Sequence, residues 1–95
     1  MAELLHEIWR NPEDNSFACG RVAADSDALR ERVEPKSVCI HSFKASSASD
    51  SYRKMHALLD YGEWVPHPGF EEHLYTDDEE QEQRLYLRTR QSRRG

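Results

Sequence analysis

No run in this chain approaches the roughly 18 consecutive apolar residues of a membrane-crossing helix, so no helical anchor is expected. Glycine is scarce, at 4 residues of 95, and no G-x-x-x-x-G-K-[ST] pattern occurs. A phosphate-cradling loop needs such glycines to bring its backbone close. Cysteine is scarcer still, with only Cys19 and Cys39, which is too few for the disulfide framework of a small secreted domain. The opening MAELLHEIWRN has acids where a signal peptide needs positive charge. The plain expectation is a reduced, cytoplasmic protein.

Other absences narrow the chemistry. Five histidines are scattered through the chain, but none falls in H-E-x-x-H and no C-x-x-C is present, so neither a metal nor a cofactor is expected. No G-x-S-x-G elbow is present. Cys39 with His41 or His56 could be drawn as a nucleophile and base. A mid-strand thiol, however, packs as a small hydrophobe and stays protonated, so both cysteines are expected to be buried and unreactive. A chain of this length also encloses no deep pocket. No catalytic residue is assigned.

What the chain does have is charge, 33% of its residues, with a net value of −5. That balance disfavours general attraction to nucleic acid or anionic lipid. The charge is uneven: residues 76–95 open with Asp77, Asp78, Glu79, Glu80 and Glu82 and continue with Arg84, Arg88, Arg90, Arg93 and Arg94.

Periodicity supplies the elements. ELLHEIWR, for all its helix-like i, i+4 spacing, is followed by the turn residues Pro12 and Asn15 and a second strand-like run, SFACGRVAA, so the two read as a hairpin. DSDALRERVEP reads as a short helix capped by Asp25 or Ser26 and closed by Pro35. KSVCIHSFK is a strand with both faces largely apolar, hence expected at the centre of the sheet. Tyr52, Met55 and Leu59 then recur at helical spacing, with Ser47 or Ser49 as cap and Gly62 as the left-handed stop. Thr76 and Glu79 form a capping-box pattern opening a last helix, against a rival strand at RLYLRTR. The order β-β-α-β-α plus a charged C-terminal helix predicts an α+β fold, a two-layer sandwich of a short antiparallel sheet with helices on one face. Residues 1–75 form the compact domain in this reading and 76–95 the charged helix or tail.

The segments HEIW, HSFKASSASDSYRKM and LDYGEW, spanning roughly residues 4–64, resemble a group of small bacterial proteins with E-x-W, F-x-A-x-S and G-E-aromatic motifs. The resemblance implies a compact fold and no particular chemistry. It does not extend to residues 67–95.

Two kinds of site remain. Tyr61, Trp64, Val65 and Phe70 gather around two prolines, and together with Arg84 and Arg88 they are candidate partner-binding residues, since aromatics and arginine dominate interface energetics. The expected role is that of an accessory or regulatory protein that binds another protein. The alternative is an anion or nucleotide site on Lys44, Ser46, Ser47 and Ser49 at a helix start, or RNA binding through the arginine-rich tail.

Overall fold

The computed structural model describes residues 2–94, with side chains through Arg90. β1 (Leu4–Arg10), β2 (Phe17–Arg21) and β3 (Val38–Ala45) form an antiparallel sheet in the order β2-β1-β3. α1 (Ala24–Val33) joins β2 to β3, and α2 (Ala48–Leu59) and α3 (Asp77–Arg94) follow. This is the expected α+β fold, with a helix at Asp77–Arg94 where a strand was the rival reading.

The β1–β2 hairpin turns where Pro12 and Asn15 predict it. Asn15 takes a left-handed φ of 61°, and the Asn11 amide donates to the Ser16 carbonyl at 2.9 Å. β1, not β3, is the central strand. Val38, Cys39 and Ile40 are all exposed on β3, so its apolar faces are not both covered. The expectation failed because apolar composition records what a strand could bury, not what packs on it. Both thiols are likewise on exposed residues, Cys19 on β2 and Cys39 on β3, which overturns their assignment to the interior.

Alternation along β1 divides its side chains. Leu4, His6 and Ile8 are buried with Ala45 as a small core, together with Ala2 and Val22. His6 is packed against Phe43 with ring centroids 5.3 Å apart. Its Nδ1 donates to the Leu4 carbonyl (3.0 Å), leaving Nε2 to accept from the Tyr75 hydroxyl (3.1 Å). Leu5, Glu7 and Trp9 point the other way and are half-buried.

The helix ends answer to local chemistry. α1 starts after an extended Ala23 with no side-chain cap, and Asp25 and Ser26 lie inside it, not before it. Asp27 instead turns to Arg30, Arg90 and Tyr86. α2 is capped by Ser47, whose hydroxyl accepts from the Asp50 amide at 3.1 Å. Its C-terminus closes with Asp60, not Gly62, as the left-handed residue; the amides of Asp60 and Tyr61 reach back to Ala57 and His56 in a Schellman arrangement. Tyr61 then packs edge-on against His56. α3 opens with the Thr76–Glu79 capping box, each residue's side chain accepting from the other's amide (3.2 and 3.0 Å).

Contacts from α3 cross into the first 75 residues. Gln83 splices into the ladder where β2 ends: its Oε1 accepts from the Leu5 amide at 2.7 Å, and its Nε2 donates to the carbonyls of Leu5 and Val22.

Candidate protein-docking site

The segment after α2 is a strap that runs back along that helix. The Ala48 amide donates to the His73 carbonyl (3.0 Å), the Tyr75 amide donates to the Ser46 carbonyl (3.1 Å), and Ser47 bridges Leu74. Glu72 accepts from both the amide (3.0 Å) and the hydroxyl of Ser49. Pro68 and Gly69, the latter at φ 85°, make a turn closed by the Phe70 amide donating to the His67 carbonyl (3.0 Å).

The strap lays its aromatics on the first turns of α2. Trp64 stacks on Tyr52 at 5.3 Å between centroids, and Phe70 meets Trp64 edge-on at 5.2 Å. His67 adds an edge contact to Phe70, and the Arg53 guanidinium lies 5.8 Å from the Trp64 ring, within cation–π range. Trp64 and Phe70 are half-buried, while Tyr52 is 42% exposed. Val65 is 73% exposed beside them.

Of the sequence-based candidates, Trp64 and Phe70 are brought together, and Val65 borders them. Tyr61 stands apart on His56. Arg84 and Arg88 lie on α3, where Arg84 pairs with Glu80 (3.1 Å), and no contact among the described residues joins either to the aromatic cluster. Tyr52, Arg53 and His67 were missed. Helical spacing marked Tyr52 as a core position, and only the reversal of the strap shows that its ring faces Trp64.

The serine stretch has its amides occupied from within. Ser46 donates to the Asp50 carboxylate (3.0 Å), Ser49 to Glu72, Ala48 to His73 and Asp50 to Ser47. Hydrogen bonds from Ser49 hold the Glu72 carboxyl below its ordinary range. An incoming anion would have to displace two carboxylates from the start of α2, which makes capping and strap anchoring the simpler physical role. The Lys44 charge acts on Glu80, whose carboxyl is held below its ordinary range by the Glu3 amide and by the nearby Arg84 and Lys44.

A second polar cluster is structural in character. Arg90 forks onto Glu7 (3.0 and 2.7 Å) and meets Asp27 through Nε at 3.1 Å, with Asp27 also taking Arg30 and Tyr86. The Arg30 guanidinium sits 3.5 Å from the Trp9 ring centre, and the Trp9 indole donates to Glu7. Two arginines against two acids leave it neutral and fully partnered. With Arg90 buried and Arg84 paired, Arg88 is, among the described residues, the exposed arginine of α3 without an ion pair; the side chains of Arg93 and Arg94 lie outside the described residues. Beside the cluster, Trp9, Ala18, Leu29 and Val33 border an open groove of about 260 Å³, short of the roughly 300–1,000 Å³ of small-molecule sites.

Among the described residues no three His, Cys, Asp or Glu side chains gather as a metal site requires, and no helix is long and apolar enough to cross a membrane. Compared with known proteins, the chain matches no family model, no curated protein and no solved structure.

Proposed function

We propose that this chain is a small acidic accessory or regulatory protein of the cytoplasm that binds another protein without catalysing a reaction, using the strap on α2. The observation that carries this reading is the Tyr52–Trp64–Phe70 cluster, three rings pre-stacked yet open to solvent, with Val65 exposed at its side. Rings already held by one another lose little freedom on docking, so their buried area is available for affinity. Arg53 supplies a cation at the rim, where it steers more than it binds.

The test separates docking from folding. Trp64 contacts both Tyr52 and Phe70, so Trp64→Ala will lower the melting temperature somewhat as well as binding. Val65→Asp touches exposed surface only. A partner recovered on the unaltered chain is expected to be lost by more than tenfold with Val65→Asp at unchanged melting temperature. A partner retained equally by both variants would sink the proposal.

A further inference from the structure

The sheet has two free edges, and only one is defended. On β3 the register shifts between Ile8 and Trp9, and Lys54 Nζ donates to the outward Lys44 carbonyl at 2.7 Å. A bulge-like irregularity and a lysine on the edge are standard protections against strand addition.

β2 has neither. The bonds from Val22 to Leu5 and from Asn11 to Ser16, both 2.9 Å, fix the phase of the hairpin. Between them Phe17, Cys19 and Arg21 stand in the pairs that aim their N–H and C=O away from β1. Among the described residues these groups take no partner from another element. Every residue of β2 is exposed, and the strand contains no lysine, proline or register shift.

We propose that two copies of the chain associate by antiparallel pairing of β2 with β2, about a two-fold axis at Cys19, into one six-stranded sheet. The strand is complementary to itself in this register. Cys19 faces Cys19, Ala18 faces Gly20, and Phe17 faces Arg21, whose guanidinium is already held on Glu79 at 2.7 Å. An aromatic ring opposite an arginine is favourable, and the three facing pairs of outward residues give two hydrogen bonds each. A slide of two residues either way loses one of those pairs, and a slide of four in one direction opposes the two arginines.

The exposed area fits a second copy. The chain exposes 6659 Å², about 1,000 Å² more than the roughly 5,700 Å² that surface scaling gives for its mass. A standard interface takes about 800 Å² from each partner. The five-residue edge supplies part of this. Leu29 and Val33, 53% and 62% exposed along the groove beside β2, extend the same seam with apolar surface. This pairing uses a different part of the molecule from the strap and stands or falls separately from it.

Sedimentation equilibrium on the full chain, with a short bismaleimide and peptide mapping, tests the arrangement. Each maleimide adds one thiol S–H across its double bond, so no oxidant is involved. The expected results are twice the chain mass, a cross-link joining Cys19 to Cys19, and at least a tenfold weaker dimer for Cys19→Lys, which sets two lysines face to face. A chain that stays monomeric up to its solubility limit overturns the proposal. So do cross-links that run only through Cys39, or a Cys19→Lys variant that dimerises as tightly. Should that variant fail to fold, the mapped cross-link on the unaltered chain decides.

Discussion

Arg90 grips Glu7 with two nitrogens across 83 residues of sequence, at 3.0 and 2.7 Å, and both side chains are largely buried. The same guanidinium holds Asp27. The hydrogen bonds that Arg90 donates to Glu7 push its pKa above its ordinary value, so this charge is fixed. Removing one partner of a buried pair strands the other, at about 3–5 kcal/mol. Arg90→Ala should cost that much in urea unfolding, because it leaves the buried Glu7 without its cation and Asp27 with Arg30 alone. Truncation before residue 76 removes Gln83 and Tyr86 as well, and should abolish the cooperative transition.

The hairpin, the Ser47 cap and the Thr76–Glu79 box were legible because each depends on residues within a few positions of one another. The arginines of α3 read as a charged end offered to a partner or to RNA, since nothing local distinguishes Arg90 from Arg88. Only packing against Glu7 and Asp27 does. Trp64 and Phe70 were visible as apolar groups in a proline-rich stretch, whereas Tyr52 joined them only through the path of the strap. β3 was misplaced for a related reason: its outer edge and exposed Val38 depend on which strand lies beside it.

Gln83 offers a second measure of α3's role. Without its amide, the Leu5 N–H and the Val22 carbonyl lose their partners at the end of the ladder. A buried group left unpaired costs about 1–3 kcal/mol. Gln83→Ala is expected to destabilise by that amount in chemical denaturation. Gln83→Glu should fare little better, since a carboxylate cannot donate to the two carbonyls.

The thiols allow a direct check on exposure. Cys19 and Cys39 both belong to exposed residues, yet burial of the sulfur environment raises both pKa values, with Glu7 adding to the effect at Cys39. Both should therefore be modified by maleimide in the folded protein without denaturant. The rates should stay below those of a free thiol at neutral pH and climb as pH rises toward 9. Modification that requires unfolding would show that the strands are covered.

Stability should fall with acid in two separate windows. His6 is buried, and burial pushes its pKa below the ordinary 6.5 despite the Leu4 hydrogen bond that favours its charged form. The unfolded chain then binds a proton at His6 that the folded chain does not, so stability is complete above pH 6.5 and declines as pH falls below it. Glu79 acts lower. Burial opposes its ionisation, but hydrogen bonds from His73, Arg21 and Thr76 prevail and bring its pKa to about 2. Its contribution is present above the unfolded value of 4.5 and is lost as pH drops from 4.5 toward 2. Urea midpoints taken from pH 8 to 3 should show both declines. His6→Gln, which can still donate to Leu4 and accept from Tyr75, should flatten the upper window alone, while Glu79→Gln should make the lower one shallower, with Asp27, Asp50, Glu72 and Glu80, whose carboxyls are also held below their ordinary range, carrying the rest. An upper decline that survives in His6→Gln would mean that another group carries it.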